Sequence, residues 1–176
     1  MGLILIGGAA RSGKSRFAES LVGSLAGPRV FVATAEPIDT EMRERIVQHQ
    51  EDRGGRFETI EAPLEIADAL EGCAENSAVL LDCLTVWIGN AMHHDWSDRA
   101  IEDELQRLIA LGPRHRTLVV VTNEVGLGLV PPTALGRRFR DVAGRAHQIL
   151  ASAADEVYLA ALGAILRLKP KLEAVW

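Results

Sequence analysis

The chain has 176 residues, of which 48% are hydrophobic and 24% are charged, and its formal net charge is −5. This length and composition are typical of one globular domain, so residues 1–176 are treated as a single domain rather than a disordered or collagen-like chain. The acidic excess has the wrong sign for a general nucleic-acid binder, so no nucleic-acid partner is expected. The two cysteines, Cys73 and Cys83, lack CxxC spacing, which argues against a disulfide framework or a cysteine-ligated zinc site.

The sequence shows no segment that targets or inserts the chain. The first residues carry no basic stretch of the kind that opens a secretion signal. No apolar run reaches the ~20 residues that a membrane-spanning helix needs. We therefore expect a cytoplasmic protein with no membrane insertion.

Short β-rich runs alternate with helical patterns along the chain. The predicted strands cover residues 3–7, 29–34, 57–61, 78–82, 117–122, 156–160 and 164–169. The predicted helices cover residues 14–25, 40–53, 64–73, 98–111 and 134–154. Strands rich in valine, isoleucine and leucine that alternate with helices predict an α/β fold, with a mostly parallel sheet of about seven strands and helices on both faces. Ligands of such sheets bind beyond the carboxyl ends of the strands, so site residues are expected there.

The segment after the first predicted strand matches the phosphate-loop pattern G-x-x-x-x-G-K-[ST] in full. It consists of Gly8, Ala9, Ala10, Arg11, Ser12, Gly13, Lys14 and Ser15. Its backbone N–H groups and the following helix N-terminus would face phosphate oxygens, Lys14 would supply positive charge to the β- and γ-phosphates, and Ser15 a hydroxyl to Mg²⁺. The alternative, a glycine turn that happens to precede Lys-Ser, fits the strand-then-helix context less well. The loop predicts a P-loop NTPase-like fold that binds a nucleoside triphosphate.

Asp82 ends the apolar run Val79-Leu80-Leu81, where a second partner for the magnesium ion is expected. Its carboxylate would hold Mg²⁺ directly or through water. It could equally accept hydrogen bonds from a ribose or a guanine edge. The structural alternative is that Asp82 caps a helix that begins near Thr85.

The predicted helix 40–53 carries a histidine flanked by arginines. Met42, Ile46, His49 and Arg53 fall on one helical stripe, and Arg45 lies one turn before His49. The plain interpretation is a partly buried histidine among solvated arginines. The functional interpretation is that the positive charges keep the imidazole neutral and nucleophilic and also pair with an incoming phosphate. Such a site suits nucleophilic catalysis through a phosphorus–nitrogen bond.

Taken together, these residues resemble the bifunctional adenosylcobinamide kinase / adenosylcobinamide-phosphate guanylyltransferase family of cobalamin biosynthesis. The matching segments, in order, are residues 8–15, 33–35, 41–53, 59–63, 80–85, 122–131, 139–141 and 153–155. They span nearly the whole chain, and the helix pattern R-I-x-x-H-x-x-x-R with the later T-N-E-V-G makes the resemblance specific. Ala9 stands where the family's loop carries a second glycine, and alanine has less freedom for positive φ.

The resemblance implies a two-step activity on a corrinoid small molecule. A nucleoside triphosphate, ATP or GTP, first phosphorylates the aminopropanol hydroxyl of adenosylcobinamide. GMP is then transferred from GTP through a guanylylated histidine, giving adenosylcobinamide-GDP and pyrophosphate. His49 matches the position of that histidine, and Lys14 is the second residue expected to be catalytic.

The resemblance also implies a set of nucleotide contacts and an assembly. Besides the phosphate loop, the expected contacts are Ala33, Thr34, Ala35, Gln50, Glu51, Asp52, Arg53, Glu61 and Asp82, with Ser15 and Asp82 as metal ligands. A homotrimer is expected, with an antiparallel C-terminal strand at residues 164–169. No base for the kinase step is evident: Glu124 is a candidate, and a structural carboxylate at a strand end explains it equally well.

Two other functions are consistent with a phosphate loop. The first is a plain P-loop small-molecule kinase, in which His49 has no covalent role. The second is a nucleotide-dependent regulatory switch. The sequence lacks the N-K-x-D guanine motif, which weakens the familiar GTPase version of the second.

Overall fold

The computed structural model describes residues 2–36 and 54–170. The strands are β1 (Leu3–Gly8), β2 (Arg29–Ala33), β3 (Glu58–Glu61), β4 (Ala78–Asp82), β5 (Thr117–Asn123), β6 (Glu156–Ala161) and β7 (Ala164–Lys169). The helices are α1 (Lys14–Gly23), α2 (Ile66–Gly72), α3 (Leu84–His93), α4 (Asp98–Leu111) and α5 (Ala134–Ala153), with a 3₁₀ turn at Gly112–Arg114. None of the helices within these two ranges is both long and apolar enough to cross a membrane.

The strands form one sheet in the order β3-β2-β4-β5-β1-β6-β7. Every neighbouring pair is parallel except β6 and β7, which are antiparallel. This confirms the predicted P-loop NTPase-like fold, including its antiparallel C-terminal strand. The order places β1, which leads into the phosphate loop, between β5 and β6, and it places the end of β4 two strands away. The carboxyl ends of β2, β4, β5 and β1 therefore meet on one edge.

Successive strand residues enter two different cores, one on each face of the sheet. Leu3 and Leu5 pack in one core, whereas Ile4 and Ile6 pack in the other. Helix α1 covers the second core through Ala18 and Val22, and the remaining four helices cover the first. Because both faces are buried, each central strand must be apolar at every position, which explains the uninterrupted valine, isoleucine and leucine runs.

One helix, Leu84–His93, was not among the predicted elements, and a helix beginning near Thr85 entered only as the structural alternative for Asp82. Seven of its ten residues are buried, including Trp87 and Ile88, and the Trp87 indole N–H donates to Leu64 O at 2.5 Å. A helix that is apolar on most sides lacks the one-sided periodicity that reveals a surface helix. Every other predicted element within the described ranges begins and ends within two residues of the observed element. The predicted helix 40–53 lies outside the described residues.

A buried histidine lies between the 3₁₀ turn and β5. His115 is 5% exposed. Burial, together with the nearby Arg114 charge, lowers its pKa from the ordinary value of 6.5. Burial likewise lowers the pKa of His147 on α5, partly offset by the Glu124 carboxylate. Both side chains are therefore held neutral where the unfolded chain would be protonated.

The pH dependence of stability follows from these two histidines. As pH falls below about 6.5, the unfolded chain binds protons that the folded chain refuses, so folded-state stability present above that pH is progressively lost. We expect the free energy of unfolding in urea to decrease from pH 7.5 to pH 5.5. The decrease should be smaller in His115→Gln, and an equal decrease in both proteins would contradict the assignment to His115.

Candidate active site

A cavity of about 860 Å³ opens at the carboxyl edge of the sheet. Its walls come from the phosphate loop, the start of α1, the ends of β2, β4 and β5, and the turn between β6 and β7. The lining residues are 10–16 and 33–35, with Glu19, Phe31, Asp82, Cys83, Val86, Asn123 and Gly163. A volume of this size is within the range that holds a ligand as large as a nucleotide.

The phosphate loop has the backbone conformation that its glycines permit. Gly13, the N-cap of α1, has φ 95°. Arg11 also adopts a positive φ, of 57°, whereas Ala9 does not. The alanine therefore stands at a position that makes no demand for a left-handed backbone, and the departure from the family's loop needs no strain. The Lys14 side chain is 8% exposed and its Nζ donates to Ala9 O at 3.2 Å.

Gly8 is the tightest position of the loop. A Cβ on Gly8 would lie 2.5 Å from Ala160 O on β6 and 2.7 Å from Ser12 Oγ within the loop. On the opposite side, Gly8 O accepts a hydrogen bond from Glu124 N at 3.0 Å. Glycine is needed here because the backbone passes too close to its neighbours for any side chain.

The floor of the cavity is held by a threonine between two strand ends. Thr34 is fully buried, its Oγ1 donates to Cys83 O at 2.9 Å and accepts from Cys83 N at 2.9 Å. Asn90 on α3 donates to Thr34 O at 2.7 Å. Buried polar groups are tolerated when they are paired in this way. The bonds join the end of β2 to the end of β4 and to α3.

A second set of bonds joins the first turn of α3 to the end of β5 beside that floor. Asn123 Nδ2 donates to Thr85 Oγ1 at 3.0 Å, and Asn123 N to the same oxygen at 3.3 Å. Thr85 Oγ1 also lies 3.3 Å from Cys83 Sγ. Burial, followed by the charge of Asp82, raises the pKa of the Cys83 thiol, so this thiol is a poor nucleophile.

Ser15 and Asp82 line the same cavity, which suits the predicted metal role. A hydroxyl and a carboxylate are hard oxygen donors of the kind that Mg²⁺ takes beside phosphates. The N-cap residue of α3 is Cys83, one position after Asp82, and the Cys83 side chain makes no capping hydrogen bond.

The cavity brings together many of the residues predicted from sequence. Ala10, Arg11, Ser12, Gly13, Lys14, Ser15, Ala33, Thr34, Ala35 and Asp82 line it. Gly8 and Ala9 belong to the phosphate loop but do not line the cavity. Glu61 is paired with Ala33 at the end of β3 but is exposed and outside the lining. His49, Gln50, Glu51, Asp52 and Arg53 lie outside the described residues.

Seven lining residues were not among the predicted site residues: Arg16, Glu19, Phe31, Cys83, Val86, Asn123 and Gly163. Phe31 belongs to the interior of β2, Val86 to the unpredicted helix α3, and Gly163 to the β6–β7 turn. Phe31 and Val86 look like ordinary core residues in a sequence. Gly163 has φ 82° and carries a turn signal, but nothing in the sequence places that turn beside the phosphate loop.

We expect Gly8→Ala to impair the loop specifically. The added methyl group must displace either the Ala160 carbonyl or Ser12, which should lower stability by about 1–3 kcal/mol and weaken nucleotide binding at least tenfold. Gly23→Ala is the matched control, because a Cβ at the end of α1 meets nothing within 4 Å. Thermal melting and equilibrium nucleotide titration measure both effects. Equal nucleotide affinity in the two variants would contradict the close-approach argument.

Comparisons with known proteins show one family across the chain. The model of the "cobinamide kinase / cobinamide phosphate guanyltransferase" family matches residues 4–168. The bifunctional adenosylcobalamin biosynthesis protein CobU of Salmonella typhimurium is 41% identical over 95% of this chain and 99% of its own length. CobP of Pseudomonas aeruginosa, described by the same bifunctional name, is 39% identical over 94% of this chain and 96% of its own.

A solved structure shares the fold at much lower sequence identity. The flagellar accessory protein FlaH of Methanocaldococcus jannaschii superposes with a TM-score of 0.55 at 14% identity, over 96% of this chain and 78% of its own. That likeness concerns the fold alone. The family match and the two relatives extend over the sheet, the phosphate loop and the strand ends described above. The chain therefore belongs to the cobinamide kinase / cobinamide phosphate guanyltransferase family.

Proposed function

We propose that this protein phosphorylates adenosylcobinamide with a nucleoside triphosphate and then transfers GMP from GTP to the product, giving adenosylcobinamide-GDP and pyrophosphate. One observation carries the proposal. In a chain of this family, Lys14 of the phosphate loop and Asp82 of β4 line a single cavity of nucleotide size. The cavity thus contains both the phosphate-binding loop and the carboxylate that we propose as a metal ligand.

The phosphate loop accounts for the triphosphate. Lys14 is buried and donates to a backbone carbonyl, so its charge is poised to move onto phosphate oxygens, which are stronger acceptors. The N-terminus of α1 adds the positive end of a helix dipole. Ser15 and Asp82 would hold Mg²⁺, which neutralises charge on the phosphates when bound.

The apolar lining residues provide a surface for the nucleobase. Phe31, Ala33 and Val86 present apolar atoms to the cavity, and apolar surface of this kind covers the faces of a purine ring. Phe31 is held from behind by Phe57, whose ring lies 6.2 Å away at 78°. Guanine recognition by Glu61, Gln50, Glu51, Asp52 and Arg53 belongs to the proposal as the resemblance implies it.

In the kinase step, the corrinoid hydroxyl oxygen attacks the γ-phosphorus. A new oxygen–phosphorus bond forms, the bond from the γ-phosphorus to the bridging oxygen breaks, and the nucleoside diphosphate leaves. Lys14 stabilises the charge that develops on the phosphate oxygens, and the loop holds the phosphates in line for attack. No covalent intermediate is needed for this step.

In the guanylyl step, His49 is the proposed nucleophile. Its neutral imidazole nitrogen attacks the α-phosphorus of GTP, and pyrophosphate leaves from the loop. A phosphate oxygen of the corrinoid phosphate then attacks the histidine-bound phosphorus and releases the imidazole. Arg45 and Arg53 flank His49 at helical spacing, and their charges support both the neutral ring and the arriving phosphate. Two displacements replace one difficult step.

Family membership favours this function over the two alternatives considered from the phosphate loop. A regulatory switch needs no corrinoid-directed chemistry, whereas the matched family is named for two transfer reactions on cobinamide and its phosphate. A plain kinase shares the loop but would leave the α-phosphorus untouched. Covalent labelling separates the three functions.

The test uses GTP labelled at either the α- or the γ-phosphorus. We expect an acid-labile, base-stable label on the protein from α-labelled GTP, no such label from γ-labelled GTP, and complete loss of the label in His49→Ala. His93→Ala is the control, because His93 is an exposed histidine at the end of α3. A plain kinase or a switch would give no covalent adduct, and an adduct that survives in His49→Ala would place the nucleophile elsewhere.

Assembly as a homotrimer belongs to the same proposal. The resemblance implies it, and the β6–β7 hairpin supports it with exposed apolar side chains: Leu162 in the turn, and Leu166 and Leu168 on edge strand β7, at 54% and 51% exposure. An exposed edge strand with apolar side chains is unusual in a protein that stays monomeric.

We expect light scattering coupled to size exclusion to give three times the mass of one chain. Leu166→Glu with Leu168→Glu should dissociate the assembly, because two charges would be buried without partners. Arg167→Gln, on the other face of the same strand, should leave the mass unchanged. A monomeric wild-type protein would refute the trimer.

A further inference from the structure

Glu124 is the residue after β5, and β5 pairs directly with β1, the strand that leads into the phosphate loop. Its backbone N–H is bonded to Gly8 O at 3.0 Å, and Lys14 Nζ is bonded to the next carbonyl, Ala9 O, at 3.2 Å. The Glu124 backbone and the Lys14 ammonium group are thus attached to consecutive residues of the loop. Asn123, which precedes Glu124, lines the nucleotide cavity. Glu124 itself is outside the cavity lining, but it adjoins that lining through Asn123 and the phosphate loop through its bond to Gly8 O.

The Glu124 side chain is oriented but still accessible. Oε1 accepts a hydrogen bond from Gly126 N at 2.5 Å, which fixes the direction of the carboxylate. The Glu124 side chain is 30% exposed, so the carboxylate is partly open to solvent. A carboxylate held in place and open to one side is the arrangement that a proton acceptor needs.

A partly buried imidazole lies beside this carboxylate. His147 Nδ1 is 3.9 Å from Glu124 Oε2, and His147 Nε2 is 2.8 Å from Thr122 Oγ1. Thr122 is 2% exposed, so the ring is held from within the sheet. When the threonine hydroxyl donates to Nε2, the ring proton resides on Nδ1 and faces Glu124. Burial lowers the pKa of His147 and keeps the ring neutral near pH 7.

We propose that Glu124 accepts the proton of the corrinoid hydroxyl during phosphoryl transfer, and that His147 positions the Glu124 carboxylate. This inference rests on the proposed kinase activity and adds its missing base. As the hydroxyl oxygen bonds to the γ-phosphorus, its proton passes to Glu124, and the bridging oxygen leaves with the nucleoside diphosphate. The protonated Glu124 then returns the proton to water. The guanylyl step has no hydroxyl to deprotonate and does not use Glu124.

The other described carboxylates near the cavity have other positions or partners. Glu19 on α1 lines the cavity but is ion-paired with Arg56 at 3.8 Å. Asp82 lines the cavity on β4, where it is the proposed metal ligand. Glu61 ends β3, which is separated from β1 by three strands. The other neighbour of β1, strand β6, ends in alanines. Within the described ranges, Glu124 is the carboxylate that follows a strand adjacent to β1 and faces outward.

Glu124→Gln tests the proton acceptor, because it keeps the shape and the Gly126 hydrogen bond but removes the basic oxygen. We expect kcat for phosphorylation of adenosylcobinamide to fall about 100-fold or more, with the nucleotide KM within about threefold. Labelling of the protein by α-labelled GTP should stay within about twofold of wild type. Glu75→Gln, an exposed carboxylate near the opposite edge of the sheet, is the matched control.

The outcomes separate this inference from the function on which it rests. A wild-type protein that phosphorylates no corrinoid defeats the proposed function itself. An active wild type with Glu124→Gln retaining more than a third of kcat overturns the role of Glu124 alone. If thermal melting shows Glu124→Gln unfolded, Glu124→Asp is used instead, since it keeps the charge, withdraws the carboxylate and should show the same loss of kcat.

His147 is tested by loss and recovery. His147→Phe fills the same space without ring nitrogens, and we expect kcat to fall about tenfold with the nucleotide KM unchanged. His147→Asn carries an amide nitrogen near the place of Nδ1 and should recover most of that loss. A purely structural role would move thermal stability without this pattern in kcat, and equal kcat in the two variants would refute positioning by His147.

Discussion

The close packing around Gly8 is the constraint on which the site depends. Its missing side chain lets the chain pass within contact distance of Ala160, and its carbonyl is bonded to the backbone of Glu124. Through that one residue, the phosphate loop is held simultaneously by the two strands that flank β1. The loop can then present its amides and Lys14 in a fixed place, as catalysis by positioning requires. A looser connection would leave the same residues present but poorly aligned.

The floor of the cavity extends the same logic to strands that carry no phosphate-binding motif. Thr34, after the end of β2, is hydrogen-bonded to the backbone of Cys83. Thr85, in the first turn of α3, is hydrogen-bonded to Asn123 at the end of β5. Strand ends in a parallel sheet leave backbone groups without ladder partners, and short hydroxyl side chains satisfy them without filling the cavity. The hydroxyl side chains at the strand ends therefore bond to backbone groups, and the carboxylate of Asp82 lines the cavity.

Much of this could be read from the sequence because the signals were local. The phosphate loop is a contiguous sequence pattern, and uninterrupted apolar runs indicate the buried strands. Helix α3 was not predicted as an element because burial on most sides removes the one-sided hydrophobic periodicity of a surface helix. Val86, which lies on this helix, was therefore missed as a cavity residue. Gly163 and the pairing of Thr34 with Cys83 depend on contacts between segments far apart in the chain, which no local pattern encodes. The role of Glu61 stays a prediction: it ends β3, the edge strand separated from β1 by three strands, and it lies outside the cavity lining.

A single phosphate loop serving both proposed reactions has a kinetic consequence. The nucleoside diphosphate left by the kinase occupies the place that the β,γ-phosphates of GTP must take for guanylylation. One turnover of the first reaction therefore blocks the second until that product departs. The corrinoid phosphate must either wait in place or dissociate and return, and the ratio of nucleoside diphosphate to GTP in the cell then governs how quickly the chain passes from one chemistry to the other.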